Sequence, residues 1–422
     1  MVSRAGATAP SYRQGSDDLK SNLWLEIDPK EIERITHRVG AARCAQRDAE
    51  TERCMGLPLA ERKAAPGCVE APALAVVGVD GGRLQTRTGF AAQSPAAAAA
   101  APAAAAGDDV PVPAGDGRKG KHWREDKIGV LMTMSSAPSS EDPCPEVPAA
   151  FLDKERIAKL ARELKTRKSA AAEAEAAPGA AAPGSPAGTG GEGEAPAWEP
   201  PAVLSKDLAA TRRPWAAFGP MMASAAWQRG FFAAGRRAFL GDGSDHVWTL
   251  WKDHFSSFVP VLDIIHAIGY LYGAAMAGRS SAAGWPCYAR WMGRVWKGET
   301  DTALAEMRVR REELGPAREE DGETHPRTVV AAGVRYLENH QGKMKYADYR
   351  KQGLPITSSY VESSVKQFNQ RVKGTEKFWT EAGAEAVLQL RADHLGTTPV
   401  LDKFWKEKQA RETGMPRYAQ AL

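Results

Sequence analysis

Cysteine is scarce in this chain of 422 residues and follows no metal-binding or redox spacing. An odd, scattered set argues against a disulfide framework and favours a reducing compartment. Because no two cysteines form a CxxC pair, a zinc ribbon and a thioredoxin-like motif are excluded. The five residues are Cys44, Cys54, Cys68, Cys144 and Cys287.

Long apolar runs are also missing. None approaches the roughly 18 residues that a membrane-spanning helix needs, and the mean hydropathy is -0.42. Residues 1–15 lack the apolar segment of a secretory signal. We therefore expect a cytoplasmic protein with no membrane partner.

The composition suits a folded protein, since apolar residues make up 43% and charged residues 26% of the chain. At roughly 150 residues per domain, its length suggests about two or three domains. The net charge of +4 is too weak to identify a partner, but residues 341–380 hold eight basic and three acidic side chains. Such a stretch is typical of a surface that binds a polyanion, although a solvated helix face is the alternative.

Two tracts rich in Ala, Pro and Gly interrupt the chain, at residues 93–117 and 168–200. Apart from Trp198 and a few valines they lack large apolar side chains. Burial therefore cannot offset the entropy of ordering them. We predict that both tracts are flexible loops or linkers.

Hydrophobic periodicity predicts that strands and helices alternate along the rest of the chain. Strands are predicted at residues 73–87, 122–134, 238–240 and 259–264, and the first should end in a turn at Asp80-Gly81-Gly82. Helices are predicted at residues 23–50, 151–167, 201–237, 245–255, 267–340 and 360–395. This order indicates a mixed α/β core with a helical insertion.

Two of the predicted strands end in Asp-Gly, at Asp80 and Asp242. Carboxylates at the carboxyl ends of neighbouring strands meet at the edge where α/β proteins build sites. Two such carboxylates could share a divalent cation such as Mg²⁺, which prefers oxygen ligands. Asp-Gly is also an ordinary turn sequence, so either motif alone favours a turn.

A third carboxylate, Glu362, begins a helix that Thr357, Ser358 or Ser359 can cap. Lys366 follows one turn later, and the flanking sequence is basic. The alternative to a functional role is an exposed Glu362–Lys366 pair, which stabilises a helix by only about 0.2–0.5 kcal/mol.

The three carboxylates belong to a series of short motifs and are separated by 162 and 120 residues. The motifs are Val79-Asp80-Gly81, Trp123-Arg124-Glu125, Lys127-Ile128-Gly129, Gly241-Asp242-Gly243, Leu262-Asp263-Ile264-Ile265-His266, Leu354-Pro355-Ile356, Val361-Glu362-Ser363, and Arg371-Val372-Lys373-Gly374 with Phe378-Trp379. No single motif is specific. In this order they resemble the RNase H-like DDE transposases of bacterial insertion sequences, in the branch related to the Mutator elements. The match covers residues 73–87, 122–134 and 205–405.

The resemblance implies an α/β fold: an RNase H-like mixed sheet core with an all-helical insertion before the last catalytic helix. It also implies a site in which Asp80, Asp242 and Glu362 hold two Mg²⁺ ions about 4 Å apart, with Mn²⁺ able to replace them. The activity would be DNA transposition, in which metal-dependent strand cleavage is followed by strand transfer of a 3′-hydroxyl. Asp263 and His266 form a DxxH pair that would support this site.

The partner implied by the resemblance is DNA, both as element ends and as target. Assembly on DNA implies a homodimer or a higher oligomer, associated with the nucleoid. The phosphate-binding face would consist of Lys366, Arg371, Lys373 and Lys377. His246 and His254 could join the DxxH pair in imitating a zinc hydrolase site, but the sequence has no HExxH motif.

We therefore expect six regions along the chain. They are a disordered N-terminus (1–22), a helical region with part of a helix-turn-helix (23–70), the catalytic core (71–266), the helical insertion (267–353), the catalytic-helix region (354–405) and a C-terminal tail (406–422). The N-terminal region is short compared with the family that the chain resembles. Two alternatives stay open: an inactive or truncated remnant that only binds DNA, and a metal-dependent nuclease without strand transfer.

Overall fold

A mixed β-sheet is the centre of the computed structural model, which describes residues 1–67, 69–86, 123–173, 199–374 and 377–413. Within these ranges its strands are β1 (Leu74–Thr86), β2 (Trp123–Ser135), β3 (Ala202–Thr211), β4 (Arg236–Gly241), β5 (Val259–Leu262) and β6 (Phe378–Trp379). Their order is β3–β2–β1–β4–β5, and β6 pairs with the end of β1. The pairs β1–β2 and β2–β3 are antiparallel, and the other pairs are parallel. The predicted mixed α/β class is thus confirmed.

The register of β1 and β4 brings two of the predicted site residues side by side. Gly78 pairs with Leu240, and Asp80 and Asp242 each follow two residues later. The predicted turn at Asp80 is wrong, because β1 stays paired with β2 as far as Gln85 and the two glycines after Asp80 remain extended. Asp80 therefore lies inside a strand that projects beyond the end of β4.

The N-terminal residues are helical, so the prediction of a disordered segment is wrong. The helices here are α1 (Val2–Thr8), α2 (Tyr12–Leu23), α3 (Pro29–Gly56) and α4 (Leu59–Lys63). They are ordered by packing: Ala7 is fully buried, and Gly6 lies so close to Thr36 of α3 that a side chain there would clash. Within the predicted helix at 23–50, α3 begins at Pro29, because the Asp28 carboxylate caps it by accepting a hydrogen bond from the Lys30 amide.

The next helices are α5 (Lys154–Glu173), α6 (Trp215–Trp227) and α7 (Asp245–His254). The helix predicted over residues 201–237 is wrong in its first part, which forms the edge strand β3. Leu208, Ala209 and Ala210 favour a helix by propensity, but pairing with β2 overrides that preference. The tract at 168–200 begins within α5; most of it, and all of the tract at 93–117, lies outside the described residues.

Between β5 and residue 353 the described chain is helical, as predicted. The helices are α8 (Ile264–Met276), α9 (Ser281–Trp296), α10 (Thr300–Leu314), α11 (Pro326–His340) and α12 (Tyr346–Lys351). α8 packs on α9 and α11, and α10 packs on α11. Tyr288, Trp291 and Trp296 are almost completely buried, so the insertion has an aromatic core.

The chain then returns to the sheet. The helices are α13 (Ser359–Val372), α14 (Glu381–Leu395) and α15 (Val400–Thr413), so the predicted tail is helical as far as it is described. α13 lies across β1 and β2 on the face of Gly78, whose missing side chain leaves room for Val361. α6 covers the opposite face, where Met222 fills the space beside Gly129. None of the helices in the described ranges combines the length and apolar character that crossing a membrane requires.

Candidate active site

Asp242 is positioned by a tight turn directly after β4. Its carboxylate accepts a hydrogen bond from the Ser244 amide at 3.0 Å, and its backbone carbonyl accepts one from the Tyr336 hydroxyl at 2.8 Å. The turn requires glycine at position 243, where φ is +102° and a Cβ would lie 2.7 Å from the Tyr336 hydroxyl. Strand, turn and helical insertion therefore jointly fix the backbone of Asp242.

Asp80 lies where the negative charges of the site converge. Burial raises the pKa of its carboxyl group to about 7, and the charges of Asp242 and Glu362 contribute to that rise, whereas the His266 charge opposes it. Each of these residues is therefore close enough to influence the Asp80 proton. Asp242 and Glu362 therefore both act on the charge of Asp80, whereas the potential ligands among the described residues that lie within 4.8 Å of one another are Asp263, His266 and Glu362, without Asp80 or Asp242.

Glu362 reaches the site from the first turn of α13. Its amide donates a hydrogen bond to the Ser358 carbonyl at 3.1 Å, which fixes the start of the helix. One ligand atom each of Glu362, Asp263 and His266 lies within 4.8 Å of the others. Ser358 occupies the N-cap position but makes no capping bond, because its hydroxyl donates to the Asp263 carboxylate at 2.7 Å instead. This bond ties the start of α13 to the start of α8.

Asp263 and His266 form a fixed pair at the start of α8. The Asp263 carboxylate is completely buried and accepts hydrogen bonds from the Ile265 amide at 3.1 Å and from Nδ1–H of His266 at 3.0 Å. Burial disfavours the imidazolium, but the hydrogen bond and charge of Asp263, together with Asp242 and Glu362, raise the pKa of His266 to about 9. The charge of His266 and the hydrogen bonds from His266, Ser358 and the Ile265 amide lower the pKa of Asp263 despite its burial. His266 is therefore a cation held beside the carboxylates.

The residues predicted to bind DNA do not form one surface. Arg371 is 2% exposed, donates a hydrogen bond to the Gly6 carbonyl at 2.9 Å and lies over the rings of Tyr12 and Trp379. It holds α1 in place and is not available to a phosphate, so this assignment is wrong. Lys377 donates to two carbonyls at the end of α13.

Two of the predicted lysines remain on the surface of this region. Lys373 is exposed, with Nζ 5.8 Å from the centre of the Trp123 ring. Lys366 is half-buried, one turn beyond Glu362 on α13. Of the four residues predicted to bind phosphate, these two lysines are therefore the ones whose side chains are on the surface at α13 and its C-terminal end.

The zinc alternative gains no support from the positions of the other histidines. His246 is exposed and stacks on Trp215, and His254 lies against Gly219 of α6. Neither joins the cluster of potential ligands that the described residues form.

One carboxylate near the site, Asp126, was missed by the sequence analysis. It lies on β2, is completely buried and has no hydrogen-bond partner among the described residues. The alternation of side chains along β2 places it on the same face as Ile128 and Val130, which is a signal that the sequence does contain.

The donor set suits a hard divalent cation. Burial and the charges of Asp242 and Glu362 raise the pKa of Asp80, which indicates negative charge in excess of what the described residues neutralise. Oxygen donors are the ligands that Mg²⁺ and Mn²⁺ prefer. No protein-family model matches the chain, and no curated protein matches it. A function must therefore be inferred from the chemistry of the site.

Proposed function

We propose that this chain is a DDE-type DNA transposase with an RNase H-like core. The observation that carries the proposal is the placement of Asp80 on β1 and of Asp242 directly after the neighbouring parallel strand β4, with Glu362 supplied by a helix packed across the same sheet. A mixed sheet and an all-helical segment between β5 and α13 are also what the resemblance leads us to expect.

In this proposal Asp80, Asp242 and Glu362 hold two Mg²⁺ ions, or Mn²⁺ in their place. Such ions activate a water or a DNA 3′-hydroxyl and stabilise the leaving oxygen of an in-line displacement at phosphorus. Asp263 orients His266 and keeps its proton in place, and Ser358 links that pair to the start of α13. The pair is therefore assigned a positioning role and not that of a metal ligand.

The partner in this proposal is DNA, as element end and as target, contacted in part by Lys366 and Lys373. Phosphate contacts of this kind provide affinity without sequence preference. We further propose that the chain acts on DNA in the nucleoid as a homodimer or a higher oligomer.

The proposal is tested by Glu362→Gln in a cleavage and strand-transfer assay. Mg²⁺ or Mn²⁺ is added to a duplex carrying the DNA that flanks the gene, and to the same duplex pre-cut to expose a 3′-hydroxyl. If Glu362 is a metal ligand, cleavage should fall by about 10³-fold or more, since several kcal/mol of transition-state stabilisation is lost. Asp80→Asn should behave alike. The matched control is Glu381→Gln, because Glu381 is an exposed carboxylate paired with Arg212.

Three other outcomes would contradict the proposal. Cleavage by the Glu362→Gln protein at the wild-type rate would remove Glu362 from the site. Cleavage without joining of the pre-cut end would identify a nuclease. DNA binding without any metal-dependent cleavage would identify an inactive remnant.

A further inference from the structure

Asp126 is a buried carboxylate that the described residues leave unsatisfied. Its side chain has no exposed surface, and neither of its oxygens has a hydrogen-bond partner in the part of the chain that the structure describes. Buried polar groups in folded proteins are almost always satisfied, and an unpaired buried carboxylate is costly. An unsatisfied carboxylate of this kind therefore points to a ligand that the described residues do not provide.

The position of Asp126 is defined by the glycine opposite it. Asp126 of β2 pairs with Gly82 of β1, and a Cβ on Gly82 would lie 2.8 Å and 2.9 Å from the two carboxylate oxygens. The Asp126 carboxylate therefore lies above Gly82 in space that only glycine leaves free. Gly82 is two residues after Asp80, so the Asp126 carboxylate is on the sheet face that carries Asp80.

The nearest lysine in the sequence lowers the pKa of Asp126 by its charge, but among the described residues it makes no hydrogen bond to that carboxylate. Lys127 points to the opposite face of the sheet, where its Nζ lies 3.0 Å from Glu125 and 5.8 Å from the centre of the Trp215 ring. The buried Arg371 is likewise engaged elsewhere, with the Gly6 carbonyl and two aromatic rings.

The spacing along β1 matches a water-mediated contact to a cation. Residues two apart on a strand are separated by about 7 Å. A divalent cation with one bound water spans a similar distance, at most about 7 Å, between two carboxylate oxygens. Resting on the proposed function, we infer that Asp126 accepts hydrogen bonds from the hydration shell of a divalent cation bound by Asp80.

Electrostatics agree with this placement. Burial raises the pKa of Asp126 to about 7, and the charges of Glu125 and then Asp80 contribute to the rise, whereas the Lys127 charge opposes it. A cation between the two carboxylates would remove that repulsion. Asp126 would then be a positioning residue for the metal, with the first-contact ligands supplied by the three site carboxylates.

Binding of Mn²⁺ alone, without DNA, tests this inference. Thermal unfolding of the full chain is followed in EDTA and across a Mn²⁺ titration for the wild type, Asp126→Asn, Gly82→Ala, Gly81→Ala and Asp80→Asn. Gly82→Ala keeps the charge of Asp126 but forces its carboxylate away, whereas a Cβ on Gly81 meets nothing closer than 3.5 Å. Loss of a residue that supports a metal site typically weakens binding by about 10- to 100-fold.

We expect Asp126→Asn and Gly82→Ala each to weaken Mn²⁺ binding by about 10-fold or more, with Gly81→Ala unchanged. Wild-type Mn²⁺ affinity in both variants, together with its loss in Asp80→Asn, would overturn the role of Asp126 and leave the proposed function standing. A wild-type chain that does not respond to Mn²⁺ would instead refute the proposed function, and this inference with it. If the Asp126→Asn protein does not fold, Gly82→Ala, which retains the carboxylate, decides the question.

Discussion

Replacing Asp263 by Asn should convert the His266 ring from the charged to the neutral form at neutral pH. Asp263 accepts a hydrogen bond from the His266 ring at 3.0 Å and carries no exposed surface. Asn has nearly the same shape but no charge, so it cannot stabilise an imidazolium in this way. Burial, which disfavours the charged ring, would then be opposed only by Asp242 and Glu362.

The magnitude follows from the pKa of His266, which is raised from 6.5 to about 9. This difference corresponds to about 3 kcal/mol of stability in the metal-free protein. Because the folded state binds the proton more tightly, the contribution is fully present below pH 6.5 and is lost as the pH rises through 9. The pKa of Asp80 is raised from 3.8 to about 7, so ionisation of this group also lowers the stability of the fold as the pH rises, but that loss is largely complete by pH 7. The interval from pH 7 to 9 therefore isolates His266.

The assay is urea unfolding in EDTA at a series of pH values, combined with NMR titration of the histidine rings. The wild type should lose stability between pH 7 and 9, and Asp263→Asn should show little change there. His246→Gln is the control, since His246 is exposed and stacks on Trp215 outside the carboxylate cluster. An unchanged pKa of about 9 for His266 in the Asp263→Asn protein would refute the reasoning.

Two further predictions concern α13. Arg371→Ala should lower the free energy of unfolding by about 2–4 kcal/mol, because it leaves a cavity beside Tyr12 and an unpaired Gly6 carbonyl. In the control, Lys373→Ala should change the free energy of urea unfolding by no more than about 0.5 kcal/mol. Equal changes in the two variants would contradict the buried placement of Arg371. Charge reversal at Lys366 and Lys373 should weaken binding to any duplex and flatten the log–log salt slope by about 0.9 per lost phosphate contact. An unchanged slope would place the DNA elsewhere.

Local sequence patterns predicted those parts of the fold that depend on neighbouring residues. The apolar run before Asp242 predicted β4, and the apolar spacing after His266 predicted α8. Asp80 was selected because a strand was predicted to end there in an Asp-Gly turn, but this Asp-Gly pair lies inside a strand. Extension of β1 through this pair depends on pairing with β2, whose sequence lies far along the chain.

The contacts that organise the site could not be predicted from local patterns. Ser358 was one of three residues predicted as possible caps of α13, yet its hydroxyl donates to Asp263, which is 95 residues away in the sequence. Arg371 was expected on a charged face, yet its guanidinium reaches a carbonyl 365 residues away. In both cases the local sequence suits two environments equally well. The choice between them is made by tertiary packing, which a single sequence does not display.

The helical insertion is part of the architecture of the candidate site. The hydroxyl groups of Tyr336, Tyr346 and Tyr349 donate hydrogen bonds to backbone carbonyls at Asp242, Leu262 and Pro260, respectively. These carbonyls belong to β5 and to the turn after β4, and that turn and the end of β5 lead to the Asp242 and Asp263 side chains. Because a carboxylate binds a cation only within a narrow range of distances, bonds that fix the strand ends also fix where that cation can sit. The insertion therefore helps to preorganise two sides of the site, with the β1–β2 pair and α13 forming the others.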